Sequence, residues 1–317
     1  MQAIEIRRVT KRFNGVTAVD DVSLSVPRGC IYGFIGPNGS GKTTTIRMIL
    51  SILLPDAGEI EVLGSRDTHA ARDRVGYLPE ERGLYKRMTP RRLLRYFGRL
   101  KGASQASVDA AASDWLTRFE LAGYADRKIE ALSKGMAQKL QFIAAVVASP
   151  ELLILDEPFS GLDPVNADVL RDAVLEMKRR GATVVFSTHD MATAERMCDR
   201  IFMIFRGRAV LDGTLRDIQD RYGADTVRVR VDGGVATLSR FSEIEAMNDH
   251  GQLQEIRLRG DAQQFLAKLV PQARVHHFEV TRPSLHDIFV RIARPADAGG
   301  SRAEAADRER AAKAGDV

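Results

Sequence analysis

The residues between positions 36 and 44 have the types and spacing to bind phosphate groups. They are Gly36, Pro37, Asn38, Gly39, Ser40, Gly41, Lys42, Thr43 and Thr44, which fit the pattern G-x-x-x-x-G-K-[ST] at every fixed position. Glycines let the backbone turn its N–H groups toward phosphate oxygens, and a helix that begins near Lys42 adds its positive end. We expect Lys42 to contact the β- and γ-phosphates and the Thr43 hydroxyl to bind Mg²⁺. The segment therefore predicts a nucleoside triphosphate site.

Two later segments place ionisable side chains directly after apolar runs. Residues 152–155 are all apolar and precede Asp156 and Glu157, so we expect a buried strand that ends in two carboxylates. Asp156 suits Mg²⁺ binding, and Glu157 suits activation of the water that attacks the γ-phosphate. His189 follows the β-rich run 182–186 and can donate a hydrogen bond to the same phosphate. The alternatives are an ordinary acidic turn and a polar loop histidine.

The composition narrows the class of protein. The 317 residues carry a formal charge of +5 and only two cysteines, which fits a reduced cytosolic protein with one large domain and one smaller domain. No apolar run approaches the roughly 18 residues that span a bilayer, and the first residues lack the apolar core of a secretory signal. The mild positive charge permits an anionic membrane surface or a nucleic acid as a neighbour but demonstrates neither.

The chain is predicted to form two domains. Residues 1–215 alternate strand-like and helix-like segments, which indicates an α/β core that includes a buried strand at 30–35. After it, a helix is expected to bury Ile46, Met48, Ile49 and Ile52. A helical subdomain is expected at about 86–150, with Thr89 as N-cap of its first helix and Pro90 in the first turn. Leu93, Leu94, Phe97 and Leu100 follow at helical spacing.

The second predicted domain is smaller. Residues 216–293 suggest an α+β domain with strands at 226–231, 253–258 and 275–280 and a helix at 284–292. Residues 294–317 contain almost no large apolar side chains, so we expect a disordered tail.

The order of these motifs resembles the ATP-binding subunits of ABC transporters. The resemblance spans residues 1–215 and includes a signature-like segment of Leu132, Ser133, Lys134, Gly135 and Met136. It implies a P-loop NTPase fold of the ABC ATPase type, with a mixed sheet and a helical subdomain, that uses ATP and Mg²⁺. It also implies that Ser133 and Gly135 contact the γ-phosphate bound to a second subunit of a homodimer or heterodimer. Lys134 and Met136 depart from the family's Leu-Ser-Gly-Gly-Gln pattern.

The same resemblance assigns further roles. The loop of Ser160, Gly161, Leu162 and Asp163 would connect the two ATP sites of the dimer. Phe13 would stack on adenine, although a partly buried turn aromatic is the alternative. Glu80 stands where the family usually has a glutamine that binds Mg²⁺, and a carboxylate is also an oxygen ligand. The alternative is that Glu80 only caps the following turn.

One branch of the family matches in more detail. Residues 79–85 and the segment Pro283–Phe289 resemble ATPases of ABC-2-type exporters, including the sodium-efflux type, which carry a small C-terminal domain. In the last segment Leu285, Ile288 and Phe289 share a helical face, which predicts packing rather than catalysis. The branch implies a separate transmembrane permease, export of ions or small molecules, a location at the cytoplasmic face of the cell membrane, and no nucleic-acid partner.

Other interpretations remain open at this point. A soluble ABC-type ATPase acting on ribosomes or DNA, or an ATP-binding regulatory subunit with little hydrolysis, would share most of these motifs. A basic cluster near the start of the helical block either contacts the membrane partner or anionic headgroups, or is a solvated helix face. Its members are Lys86, Arg87, Arg91, Arg92, Arg95, Arg99 and Lys101.

Overall fold

The protein was analysed as a computed structural model, which describes residues 2–67, 71–81, 83–222 and 226–293. The chain divides into two units between Ile218 and Gln219. The tail expected at 294–317 lies outside the described residues.

The first unit combines strands and helices in alternation, and the last helix named here contains the division between the units. Its strands are β1 Gln2–Phe13, β2 Val16–Pro27, β3 Ile31–Ile35, β4 Ala57–Val62, β5 Val75–Leu78, β6 Leu152–Asp156, β7 Thr183–Thr188, β8 Arg200–Phe205 and β9 Arg208–Gly213. Its helices are α1 Lys42–Ile49, α2 Pro90–Leu100, α3 Gln105–Arg118, α4 Lys134–Val146, α5 Pro164–Arg179, α6 Met191–Met197 and α7 Leu215–Arg221.

A central sheet of order β5-β6-β7-β3-β8-β9 organises this unit. It is parallel from β5 to β8, and β9 pairs antiparallel to β8. Leu152 and Ile154 of β6 face one apolar core, whereas Leu153 and Leu155 face the other. Because both faces of the sheet are buried, the strand reads as an uninterrupted apolar run. The predicted buried strands at 30–35 and 152–155 are confirmed.

The parallel strands bring the phosphate loop, the two carboxylates and His189 to the same end of the central sheet. β3, β7 and β6 are neighbours, and they end at Ile35, Thr188 and Asp156. The carboxyl ends of parallel strands point the same way, so the loops that follow them meet at a common crevice. A second, antiparallel sheet of order β2-β1-β4 covers α1 and one face of the central sheet.

The helix α2 begins where the sequence predicts, whereas α1 ends before Ile52, whose predicted burial is wrong. Thr89 caps α2 by accepting the Arg92 N–H at 3.3 Å, which confirms the predicted start. Leu100 is the last residue of α2 and is 57% exposed. Ile52 is also exposed, because α1 ends at Ile49 and the chain turns at Ser51, which has a φ of 53°.

The basic cluster divides between paired and solvent-facing side chains. Arg91 forms a bidentate ion pair with Asp126, and Arg95 forms one with Asp109. The Lys101 ammonium donates to backbone carbonyls, one of them the Val75 oxygen at 2.9 Å. Arg91 and Arg95 therefore have partners within the helical block, whereas Lys101 ties α2 to the start of β5.

The second unit is a small α+β domain. Its elements are β10 Thr226–Val231, α8 Gly234–Leu238, β11 Ile244–Asp249, β12 Gln254–Leu258, α9 Ala262–Leu269, β13 Val275–Thr281 and α10 Leu285–Ala293. The antiparallel sheet has the order β11-β12-β10-β13, which with the βαββαβ succession gives a ferredoxin-like arrangement. Val227, Val229 and Val231 face its core, which confirms the predicted alternation. At the start of α10 the Ser284 hydroxyl accepts the Asp287 N–H, so this segment is helical as predicted.

Candidate functional site

The loop between β3 and α1 is built from glycines that other residues could not replace. A Cβ atom on Gly36 would lie 2.2 Å from the Ile204 carbonyl oxygen. Gly41, which precedes α1, has a φ of 109°, and a Cβ there would lie 2.6 Å from the Ala18 oxygen. Among the described residues, no side chain caps the start of α1, so the first N–H groups of this helix can bind an anion.

Lys42 is the buried cation of this crevice. Its ammonium donates hydrogen bonds to the Gly36 oxygen at 2.8 Å and the Pro37 oxygen at 3.2 Å. It also lies 3.8 Å from Glu157 Oε1. Burial lowers the pKa of Lys42, while the negative charges of Glu157, Asp156 and then Glu80 oppose that shift. Lys42 is thus a buried cation whose partners are two backbone oxygens and the Glu157 carboxylate. Anionic phosphate oxygens can replace these partners.

A cavity of about 300 Å³ lies over the loop. Its lining combines loop residues with the two glutamates that follow β5 and β6: Ala18, Asn38, Gly39, Gly41, Lys42, Thr43, Thr44, Glu80 and Glu157. A neighbouring cavity of about 240 Å³ shares Glu80 and Glu157 and is also lined by Asp156, Lys134 and Ser160. The structure therefore brings together residues that lie more than 100 positions apart in the sequence.

The two carboxylates after β6 lie in different surroundings. Asp156 is 1% exposed, and its Oδ1 accepts a hydrogen bond from the Ser187 hydroxyl. Its Oδ2 is buried without a hydrogen-bond partner in the described structure. Glu157 has a φ of 49°, and its Oε1 lies 3.0 Å from His189 Nδ1. The Glu157 carboxylate therefore lies between the buried Lys42 ammonium and the half-exposed His189 imidazole.

These residues fit a magnesium ion bound together with phosphates. The unpartnered Asp156 Oδ2 is a buried anionic oxygen, the kind of atom that a hard cation stabilises. Thr43 and Glu80 supply further oxygen atoms at the same crevice. Mg²⁺ binds in proteins through one or two carboxylates plus substrate phosphates, and the chemistry of these oxygen donors fits that ion.

The signature-like segment begins α4. Ser133 is its N-cap and accepts the Met136 N–H at 3.2 Å. Lys134 lines the second cavity, whereas Leu132, Gly135 and Met136 line neither of the two cavities described above. Thus α4 begins beside the second cavity, with Lys134 as its first residue.

The loop after Glu157 is also tied to a helix start. Asp163 caps α5 by accepting the Asn166 N–H at 3.0 Å, and this hydrogen bond is the main cause that holds the pKa of Asp163 below its usual value. Ser160 lines the second cavity, and Leu162 packs partly against the core. Gly161 has a φ of 70°, which a turn between Ser160 and the helix requires.

Phe13 lies at the tip of the β1–β2 hairpin. Its ring is 42% exposed, and the Lys11 ammonium lies 5.5 Å from the ring centroid. It does not line the cavity over the phosphate loop, although Ala18 of the same hairpin does. The structure thus gives Phe13 a partly exposed ring on the hairpin that also contributes Ala18 to the cavity.

Sequence reasoning missed three buried polar residues at the site. The Ser187 hydroxyl donates to the Asp156 carboxylate and accepts the Glu157 backbone N–H. Gln138 of α4 donates to the Pro158 oxygen at 2.7 Å, and Gln141 donates to the Glu81 oxygen at 3.2 Å. The sequence did hint at the two glutamines, because both lie among apolar neighbours on α4. A buried amide there needs hydrogen-bond partners.

Comparison with known proteins agrees with this site. The ABC transporter family matches residues 19–160, and the C-terminal domain of DrrA1-3-like ATP-binding proteins matches residues 213–293. The ABC transporter ATP-binding protein YhaQ of Bacillus subtilis is 39% identical, over 90% of this chain and 97% of that protein. The daunorubicin/doxorubicin resistance ATP-binding protein DrrA of Streptomyces peucetius is 32% identical, over 98% of each.

Solved structures agree as well. The structure of an ATP-binding subunit of an ABC transporter superposes with a TM-score of 0.67 and 34% identity, covering 70% of this chain and 93% of the other. The fold and the site thus define an ABC-type ATPase domain. The chain belongs to the family of ABC transporter ATP-binding proteins, and its first unit is the nucleotide-binding ATPase domain. These matches do not favour a ribosome- or DNA-acting ATPase. No helix among the described residues is long and apolar enough to cross a membrane.

Proposed function

We propose that Lys42, Thr43, Asp156, Glu157 and His189 form the ATP-hydrolysing half-site of this chain. The supporting observation is their convergence: the phosphate loop, the two carboxylates and the histidine follow three adjacent parallel strands. Loop N–H groups and Lys42 bind the phosphates. Glu157 orients the attacking water and accepts its proton, and His189 hydrogen-bonds the γ-phosphate.

Lys42 and Glu157 change partners during this cycle. Lys42 leaves the loop carbonyls and Glu157 for the phosphate oxygens, which carry more charge. The Glu157 carboxylate is then available to water, while His189 keeps contact with its Oε1 side. In this proposal Glu157 becomes available as the proton acceptor only after Lys42 has bound the phosphates.

Magnesium has a defined place in this proposal. Thr43, Asp156 and Glu80 would hold Mg²⁺, which neutralises phosphate charge when it is bound. Phe13 would stack on adenine without selecting the base, because its ring offers only a flat apolar face.

Two chains would complete two sites. In this dimer Ser133 and Gly135, with the neighbouring Leu132, Lys134 and Met136, face the γ-phosphate held by the partner copy. Ser133 caps a helix N-terminus, and the N–H groups of such an end suit the binding of an anionic phosphate. The loop 160–163 would connect the sites, since Asp163 begins α5 and Ser160 lines the catalytic cavity. A homodimer and a heterodimer fit equally.

The dimer would drive a separate transmembrane permease at the cytoplasmic face of the cell membrane. Export of ions or small molecules is the direction we infer, because relatives over nearly the whole chain are named for drug resistance and for Nod factor export. The permease, rather than this chain, would contact the cargo, and no nucleic acid takes part.

Two measurements test the proposal. Glu157→Gln should lower ATP turnover by about 10²–10⁴-fold while ATP binding persists, and sedimentation should show an ATP-dependent dimer. Glu59→Gln, at an exposed site on β4, is the matched control and should behave as wild type. Wild-type turnover in Glu157→Gln would exclude Glu157 as the proton acceptor.

Purification from detergent-solubilised membranes tests the partner. A stoichiometric, multi-span membrane protein should co-purify with the tagged full chain. Recovery of ribosomes or DNA instead, with no membrane protein, would contradict the transport role.

A further inference from the structure

Ser187 contacts the Asp156 carboxylate and the Glu157 backbone, and it is not used in the mechanism above. It occupies β7 one residue before the strand ends, beside Asp156 of β6 in the parallel register. It is completely buried. Its hydroxyl donates a hydrogen bond to Asp156 Oδ1 and accepts one from the Glu157 N–H at 3.0 Å. One hydroxyl therefore touches both consecutive acidic residues.

The first hydrogen bond makes the two oxygens of Asp156 unequal. Oδ1 receives the hydroxyl proton, whereas Oδ2 is buried without a hydrogen-bond partner in the described structure. An ionised oxygen in that position is costly unless a cation or a donor reaches it. Ser187 thus fixes which oxygen is tied to the protein and which is left for a cation.

The second hydrogen bond holds an uncommon backbone conformation. Glu157 has a φ of 49°, in the left-handed region that non-glycine residues seldom adopt. In this conformation its side chain lies between Lys42 Nζ, at 3.8 Å, and His189 Nδ1, at 3.0 Å. Because the Ser187 oxygen accepts the Glu157 N–H, it stabilises the turn that aims the carboxylate.

We propose that Ser187 is a positioning residue that orients both the Mg²⁺-binding oxygen of Asp156 and the proton-accepting carboxylate of Glu157. The inference rests on the proposed function, since it assigns a role at the same site. Ser187 itself contacts neither phosphate nor metal in this scheme. It acts on two groups at once, so its loss should affect metal dependence and turnover together.

Thr183 provides a matched control on the same strand. It is 2% exposed, and its hydroxyl accepts the Gly29 N–H at 3.0 Å. Thr183 begins β7, at the opposite end from the site. Thr183→Val therefore removes a buried hydroxyl with a comparable hydrogen bond but leaves Asp156 and Glu157 untouched.

The experiment compares full-length wild type with Ser187→Ala, Ser187→Thr and Thr183→Val. We expect Ser187→Ala to lower kcat by about 10–100-fold and to raise the half-saturating Mg²⁺ concentration about 10-fold. ATP affinity in EDTA, measured by calorimetry, should stay within about 2-fold, because the phosphate loop is unchanged. Ser187→Thr keeps a hydroxyl and should recover most of both losses. Thr183→Val should keep wild-type kcat and Mg²⁺ dependence even if its melting temperature falls.

The outcomes separate the inference from the proposed function. Wild-type kcat and Mg²⁺ dependence in Ser187→Ala, or equal losses in Thr183→Val, would overturn the positioning role. If Ser187→Ala does not fold, Ser187→Cys serves instead: a thiol is a weak donor of similar size, so the same two losses are expected and their absence overturns the role. A wild-type protein without ATPase activity would count against the proposed function itself.

Discussion

Lys42 and Glu157 form a buried ion pair across the crevice, with 3.8 Å between Lys42 Nζ and Glu157 Oε1. Their side chains are only 6% and 8% exposed. Under the proposed function, this pair joins the residue that binds phosphates to the residue that accepts the proton. We therefore expect ATP binding to break a contact that the folded protein already makes.

This pair predicts a non-additive effect on stability. Lys42→Met leaves a buried carboxylate beside His189 without its cation, so we expect a loss of about 3 kcal/mol in the free energy of unfolding. Adding Glu157→Gln removes the unpaired charge and should restore part of that stability, although ATP binding stays weak. Urea unfolding of the two single variants and the double variant measures the coupling. Strictly additive losses would mean that the two charges do not interact.

Phe13 offers a test of base stacking. Phe13→Ala should weaken nucleotide binding by about 5–100-fold, since stacking on an aromatic side chain contributes about 1–3 kcal/mol per base. The loss should be equal for ATP and GTP, because a phenyl ring reads no hydrogen-bonding edge. Phe13→Trp should retain affinity. Val16→Ala, at an exposed position of the same hairpin, is the control. Unchanged affinity in Phe13→Ala would leave Phe13 as a turn aromatic.

Removing the charge of Glu80 should strengthen ATP binding in the absence of metal and weaken Mg²⁺ binding. Glu80→Gln removes a negative charge from the wall of the cavity over the phosphate loop. ATP binding in EDTA should therefore tighten by a few-fold, because repulsion of the triphosphate falls. The half-saturating Mg²⁺ concentration should rise, because an amide oxygen is a weaker ligand than a carboxylate. Titration of ATP with and without Mg²⁺ measures both. Parallel changes, or none, would indicate that Glu80 only caps the following turn.

The two cysteines give a pH-dependent test of the packing. Burial raises the pKa of the Cys198 thiol, and it also raises that of the half-buried Cys30. Alkylation requires the thiolate, whose fraction at pH 8 is therefore smaller in the folded protein than in the unfolded chain. We expect slow alkylation of the native protein that accelerates from pH 7.5 to 9.5, and rapid alkylation in denaturant. Mass spectrometry of iodoacetamide-treated samples reads both sites. Equally fast native labelling would contradict the burial of Cys198.

Local signals made the phosphate loop and several helix starts predictable. The pattern at 36–44 constrains a few consecutive residues, and Thr89 and Ser133 cap helices through bonds to residues three positions on. Continuous apolar runs likewise predicted β3 and β6, since both faces of the sheet are buried. Such features depend on neighbours in the sequence.

Features that depend on tertiary pairing were not predictable in this way. Ile52 and Leu100 continued a helical period, but the period does not reveal where the chain leaves the helix. The edge strand β11 lacks a clear alternation of buried and exposed residues, because only some of its side chains face the core. Ser187 was visible in the sequence, yet its role depends on the pairing of β6 with β7, which places it beside Asp156 across 31 positions.

The last prediction concerns the packing beneath the strand that feeds the phosphate loop. A Cβ atom on Gly33 would lie 2.5 Å from Cys198 Sγ but 3.5 Å from Cys198 Cβ. Gly33→Ala should therefore destabilise the protein by about 1–3 kcal/mol through overpacking. Combining it with Cys198→Ala removes the sulfur and should recover most of that loss, while Cys198→Ala alone leaves a small cavity. Thermal unfolding of the three variants tests this, because a double variant no more stable than Gly33→Ala would place the strain elsewhere on β3.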